Sequence, residues 1–378
     1  MFVPFRYARL MAQVLKSNRA RLDFPYKLNF DTTDKCNSRC LTCNIWLKPT
    51  DNELTTDEIR MFFAKSNRFS WIDMTGGEIF LRPDIVEVAE AILTNCKHLV
   101  LLHYPTNGLM PDLIERRTKE IIALKPPKLV ITVSLDGPPE LNDKIRGIPG
   151  DWKKATTTFM ALKELGVEVF LGMTLSPYNY GKFREAFESV RVVYPKLKLD
   201  DFHLNIMHRS GHYYDNLNTP EPTIAKIVAD LKEYGDLRGR SVSPFGFLER
   251  SYQQLVPKYL ATGRSPVTCA SLSSSCFLGP KGDIYPCSIW SKKLGNIRDY
   301  EFDLARIWQL QSTEEARQKV IEDKCPGCWT PCEAYQSVVA NLSKIPSARR
   351  SADEMRKQIR PVSEATPAAP PTSEKLLV

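Results

Sequence analysis

From residue 27 onward, short runs rich in β-branched and aromatic residues alternate with stretches of helical periodicity. The runs "YKLNFDTT", "FSWIDMTGG", "HLVLLHYPTNG", "KLVITVSLDG", "VEVFLGMTLS" and "DDFHLNIMH" each close in polar or glycine residues, as strands do. Between them, "TTDEIRMFFAKS", "RPDIVEVAEAILTNC", "DLIERRTKEIIAL", "KKATTTFMALKELG" and "GKFREAFESVRVVY" carry the helical pattern. Six strands alternating with five helices predict an α/β fold with a parallel sheet wrapped by helices, each strand buried on both faces and so apolar throughout. The polar residues that stand out fall just after the strands, where α/β enzymes place their chemistry. Periodicity alone leaves an open barrel and a doubly wound sheet equally open.

The rhythm is absent at both ends. Residues 1–24 read as a basic amphipathic helix, with Tyr7, Leu10, Met11, Val14 and Leu15 at helical spacing and Arg6, Arg9, Lys16, Arg19 and Arg21 unaccompanied by any acid through residue 22. Such a helix either lies on the main domain or attaches to an anionic membrane surface. After the barrel-like unit at 25–215, residues 216–265 read as a helical connector. Residues 266–342 hold six of the ten cysteines and contain "CFLGPKGDIYPC", two short strands around a Pro-Lys-Gly turn. The remainder, 343–378, reads as a largely disordered tail, because its last twenty residues are rich in Pro, Ala and Ser.

Composition is that of an ordinary soluble protein: 378 residues, 43% hydrophobic and 25% charged, enough to bury a large core. The net charge of +8 is spread out and weakly favours an anionic partner; no nucleic-acid partner is expected. No apolar run approaches the roughly 18 residues of a membrane span, and Arg6 and Arg9 interrupt the first apolar stretch where a secretory signal would need none. A cytoplasmic location follows as the expectation, and in a reducing compartment clustered cysteines bind metal more often than they form disulfides.

The first cluster, "DKCNSRCLTCNIW", places Cys36, Cys40 and Cys43 on a tight loop after the first strand. Thiolates crowded together are costly unless a cation or cluster neutralises them, and no fourth Cys or His follows at the spacing of a closed zinc site. Three thiolates suit a four-iron cluster with one iron left open for another ligand.

Cys-x3-Cys-x2-Cys after a first strand resembles the signature of the radical S-adenosylmethionine (SAM) superfamily. The resemblance implies a six-stranded partial (β/α)6 TIM-like barrel, a [4Fe-4S] cluster whose open iron binds SAM, and a 5′-deoxyadenosyl radical that takes hydrogen from an unactivated carbon. It also implies a flavodoxin- or ferredoxin-type electron donor. Later strand ends fit in order. "TGGE" supplies Gly76, Gly77 and Glu78, which by resemblance meet the methionine amino group; Asn107, in "TNG", faces the ligand or forms a turn. Ser134 and Asp136 match a Ser-x-Asp position at the ribose or carboxylate end, and Arg146 pairs a carboxylate or orders its loop. Met173, Thr174, Leu175, Asn179, His203, Asn205 and His208 are placed where substrate contact is possible. The family's aromatic residue before the last cluster cysteine is here Thr42, and Trp46 stands near enough to be weighed as a substitute for stacking the adenine.

Cys269, Gly282 with Cys287, and Cys325-x2-Cys328-x3-Cys332 resemble the SPASM/twitch extension that carries auxiliary clusters. The string is one cysteine short of the full pattern, so one auxiliary [4Fe-4S] cluster is expected, held by Cys269, Cys287, Cys325 and Cys328, with Cys276 or Cys332 as possible replacements. A zinc ribbon competes for the same thiols. The resemblance implies a substrate that is a peptide or a small polar metabolite. The alternatives are a lipid or isoprenoid substrate at a membrane surface, with peripheral contact through the first helix, and a non-enzymatic iron–sulfur electron carrier.

Overall fold

The computed structural model describes residues 3–17, 20–239 and 244–359. Helix α1 (Val3–Ser17) precedes the first strand, and the chain then runs β1 (Lys27–Asp31), α2 (Thr56–Lys65), β2 (Trp71–Thr75), α3 (Ile85–Asn95), β3 (Leu101–Thr106), α4 (Pro111–Ala123) and β4 (Leu129–Ser134). Two helices, α5 (Pro139–Arg146) and α6 (Asp151–Glu164), lead to β5 (Glu168–Leu175), then α7 (Phe183–Val193) and β6 (Phe202–Ile206). The six strands pair in parallel in sequence order, each crossing back through helix. This is the open barrel, and the doubly wound alternative falls away.

The strands are not apolar throughout. Leu28 and Phe30 of β1, Ile72 and Met74 of β2, Leu102 and Tyr104 of β3, and Ile131 and Val133 of β4 join the core under the helices. The intervening positions carry Lys27, Asn29, Asp31, Asp73, Thr75, His103, Thr132 and Ser134. The expectation of two apolar faces is corrected by period-two alternation: a barrel's second face encloses a lumen, and here side chains satisfy its polarity. Lys27 Nζ lies 2.9 Å from Asp73 Oδ2, Trp71 Nε1 donates to Asp73 at 2.7 Å, and His103 bridges Asp73 and Thr132, each at 3.1 Å. Burial alone would raise the Asp73 carboxyl, but the Lys27 ammonium and His103 hold it well below the usual range.

Beyond the barrel, α8 (Ile224–Arg238) and α9 (Pro244–Thr262) are the helical connection. Strand β7 (Ser275–Leu278) then pairs in parallel with β1, and β8 (Asp283–Tyr285) and β9 (Gly295–Asn296) follow antiparallel. The cysteine-rich region therefore extends the barrel's own sheet, giving the order β6-β5-β4-β3-β2-β1-β7-β8-β9. Helices α10 (Leu304–Trp308), α11 (Gln311–Ile321) and α12 (Pro331–Ala340) complete it, and Glu333 of α12 accepts from Asn29 Nδ2 (3.0 Å) and Ser275 Oγ (3.0 Å). Part of the expected disordered tail is instead helix α13 (Ile345–Gln358), whose Ile345, Ala348 and Ala352 form a thin buried stripe against the core. The Pro/Ala-rich residues from 360 lie outside the described residues.

Candidate functional site: two thiol groups joined by one strap

The loop carrying Cys36, Cys40 and Cys43 is held from four sides. After β1 and β2 the two chains stay zipped, Gly77 N donating to Thr33 O and Glu78 N to Lys35 O, both at 2.7 Å. A Cβ on Gly76 (φ +148°) would stand 2.5 Å from Thr33 O, and one on Gly77 2.2 Å from Lys35 O. The two glycines are required by the chain's own backbone leading into the cysteine loop.

On the second side, Arg39 N donates to Arg146 O (2.9 Å) and Leu41 N to Ile145 O (2.8 Å). Gly147 (φ +71°) ends α5 there, and a Cβ on it would meet Arg39 O at 2.3 Å. Arg146 pairs with Asp136 at 3.2 Å, both nearly buried. On the third side, Asn107 Nδ2 donates to Asn37 Oδ1 at 2.7 Å.

The fourth side was not foreseen. The segment after β6 reaches the loop through Asn44 N to Tyr214 O and Asn216 Nδ2 to Thr42 O, both 2.8 Å. The same segment reaches the second thiol group: Ser210 Oγ donates to Ser288 O (2.7 Å), and His208 Nε2 accepts from Trp329 N (3.0 Å). Tyr214 belongs to both groups' surroundings: with Cys36 and Cys43 it packs against the cluster of Ile45, Tyr213 and Phe277, and it also packs against the cluster of Cys287, Ile289 and Cys328. No periodicity marks this strap; only its run of His, Ser and Tyr hinted at it.

Other expected residues have structural work visible. Glu78 is fully buried and accepts from Thr106 Oγ1 (3.0 Å to each oxygen), Asn107 N (2.7 Å) and Phe80 N (3.3 Å). Burial pushes its carboxyl up to about 7 against those hydrogen bonds. Asp136 accepts from Thr174 N (2.9 Å), and Asn179 Nδ2 donates to the carbonyls of Asp136 and Thr174, each at 2.9 Å. Ser134 sits half-buried at the end of β4. His203 stacks on Phe170 (4.1 Å) and Phe245 (5.2 Å), which also stack on each other at 5.0 Å, and burial drives its imidazole down to about 3. Trp46 carries the Arg39 guanidinium 4.7 Å from its ring centre.

The second group is sharper than the sequence allowed. Cys269, Cys287, Cys325 and Cys328 line one recess with Ile289, Trp290 and Val320. Two backbone amides already point at its sulfurs, Ser271 N at Cys269 (3.5 Å) and Trp290 N at Cys287 (3.4 Å), the arrangement by which proteins tune cluster thiolates. Neither Cys276 nor Cys332 lines it: Cys276 is buried in β7, and the Cys332 carbonyl receives Lys27 Nζ. Among the described residues no three His, Cys, Asp or Glu side chains stand close enough to share a single ion. Four thiols lining one recess, with backbone amides on two of their sulfurs, fit an iron–sulfur cluster.

The first group fits the same chemistry. Burial pushes the thiols up, Cys40 to about 11 and Cys43 to about 12, with the Arg146 guanidinium opposing the shift. Without metal they stay protonated, so a cluster would bind with release of protons.

Fold and thiols together define a partial-barrel iron–sulfur enzyme, and the comparisons agree. Residues 30–190 match the model of the radical SAM superfamily, and residues 269–329 that of the SPASM iron–sulfur cluster-binding domain. The chain is 24% identical over 321 residues to the antilisterial bacteriocin subtilosin biosynthesis protein AlbA of Bacillus subtilis, covering 80% of this chain but 66% of that protein, just under two thirds. It is 22% identical over 341 residues to the AdoMet-dependent heme synthase of Nitratidesulfovibrio vulgaris, covering 81% and 84%. In fold it is similar to Streptococcus suis SuiB bound to the precursor peptide SuiA, with a TM-score of 0.55 at 17% identity over 89% of this chain and 80% of that one. The chain belongs to the radical SAM superfamily and carries a SPASM-type iron–sulfur domain. It is an enzyme whose cofactors are SAM, a [4Fe-4S] cluster and auxiliary iron–sulfur chemistry. The electron-carrier reading is thereby set aside.

Proposed function

We propose that this enzyme abstracts hydrogen from a side chain of a peptide substrate. Cys36, Cys40 and Cys43 hold the SAM-binding cluster, and Cys269, Cys287, Cys325 and Cys328 hold one auxiliary cluster. When bound, the first cluster and SAM supply a 5′-deoxyadenosyl radical, and the protein contributes positioning and exclusion of water. In this reading Asn107, Arg146 and Gly147 orient the cysteine loop, Gly76 and Gly77 set its approach to β2, and Glu78, Ser134 and Asp136 shape the SAM end of the mouth.

The observation that carries the choice of substrate is the lumen. Lys27, Asp73 and His103 line it as one paired group, and the buried Glu333 reaches the same wall through Asn29. These groups are already paired with one another, and a lumen wall of that polarity suits a polar side chain or a small polar group better than a large apolar macrocycle. The likeness to AlbA, a bacteriocin biosynthesis protein, supports the same reading.

The test uses reconstituted, reduced enzyme with SAM and the peptide fraction of its host grown in deuterated water. Deuterium should appear in 5′-deoxyadenosine, and protease treatment of the fraction should abolish it. Transfer that survives the protease would replace the peptide by a small metabolite. Stimulation only by an iron porphyrin would refute the lumen argument.

A further inference from the structure

Helix α1 is mounted with its apolar face outward. It is fixed to the barrel by Leu10 and Val14, which pack with Leu22, Tyr26 and Val339. Arg6 Nη1 donates to Leu99 O (3.1 Å), and Gln13 Oε1 accepts from Ser70 Oγ (3.1 Å). What remains uncovered is Phe5 (58% exposed), Tyr7 (45%), Met11 (44%) and Leu15 (62%), with the exposed Ala8 between them. At 100° per residue these positions form one continuous stripe. Along one edge, Phe5, Arg9 and Lys16 succeed one another at intervals of four and seven.

Monomeric proteins seldom leave such a stripe bare without a use for it. The charges indicate which. Residues 1–22 contain Arg6, Arg9, Lys16, Arg19 and Arg21 and no acid; the first acid, Asp23, faces Lys16 at 3.6 Å from an exposed position. Two copies meeting through this face would oppose their Arg9 side chains with no acid on the helix to offset them, and Lys16 has only the exposed Asp23. An anionic bilayer neutralises them and receives the apolar side chains in the same step.

We propose that the outward face of α1 docks the enzyme peripherally on an anionic membrane surface. The placement has a consequence for substrate. Ser70 and Leu99 immediately precede β2 and β3, so α1 crosses the ends at which the strands begin, whereas the cysteine loop follows the end of β1. Docking through α1 holds the mouth turned away from the bilayer. It localises the enzyme without feeding it lipid, and the basic helix ceases to be an argument for a lipid substrate.

The test is cosedimentation of the full-length reconstituted enzyme with vesicles of phosphatidylcholine containing phosphatidylglycerol, against vesicles of phosphatidylcholine alone. Binding to the anionic vesicles only is expected. Leu15→Glu and Met11→Glu, at exposed positions, should abolish it while leaving 5′-deoxyadenosine formation intact. Arg9→Gln and Lys16→Gln should each weaken it about fivefold, with reduced salt dependence. Absence of binding to anionic vesicles, or variants that bind as the native protein does, would overturn the proposal. So would light scattering that shows a dimer dissolved by Leu15→Glu, which would assign the face to a second copy.

Discussion

Glu78→Gln isolates the cost of a buried carboxylate at the mouth of the barrel. The native carboxyl is surrounded by the Thr106 hydroxyl and two backbone amides, yet burial outweighs these donors and pushes it up to about 7 from an unfolded value of 4.5. Between those pH values the folded state keeps a proton that the unfolded chain has released. The stabilisation is full below the unfolded value and is lost as pH rises through the folded one. A difference of about 2.5 pH units corresponds to about 3 kcal/mol. Glutamine cannot titrate, so its hydrogen-bonding penalty is constant with pH. Urea unfolding of the metal-free protein at pH 4.5 and pH 8 should show the native protein losing about 3 kcal/mol more than the variant across that interval. Glu249 and Glu333, also pushed up to about 7 by burial, titrate in both proteins and cancel in the comparison. Parallel pH profiles for the two proteins would refute the reasoning.

Gly147→Ala should destabilise by about 1–2 kcal/mol from its left-handed backbone alone, more as the new Cβ displaces Arg39, and should lower iron retained at the first site. Arg146→Gln leaves Asp136 buried without its cation and should cost about 3–5 kcal/mol in chemical denaturation. Because burial raises Cys40 and Cys43 to about 11 and about 12, cluster assembly should proceed further at pH 9 than at pH 7, measured as iron bound after anaerobic reconstitution.

The alternation of strand and helix made the barrel legible, and the cysteine spacings made both thiol groups legible. What escaped was whatever depended on the third dimension. The polar side of "KLNFD" and "WIDMT" is visible as a period of two, but among short apolar runs it reads as noise until the sheet curls and gives it a lumen. The parallel pairing of β7 with β1 joins residues 248 apart in sequence, as Lys27 with Ser275, which no local pattern announces. Helix α13 was hidden by its charge: "SARRSADEMRKQ" offers only two alanines to the core after Ile345. The glycines of "TGGE" were legible as a close approach to a ligand; that the chain at 33–35 also passes too close to admit a Cβ on either was not. The strap from His208 to Asn216 was illegible because its hydrogen bonds run to loops on either side of it in sequence.

Iron content after anaerobic reconstitution tests the two-cluster account most directly. The native protein should bind about eight irons per chain, and a Cys269→Ser/Cys287→Ser variant about four, while Cys276→Ser and Cys332→Ser should each keep about eight. About four irons with bound zinc in the native protein, or loss of four irons on replacing Cys276 or Cys332, would contradict it.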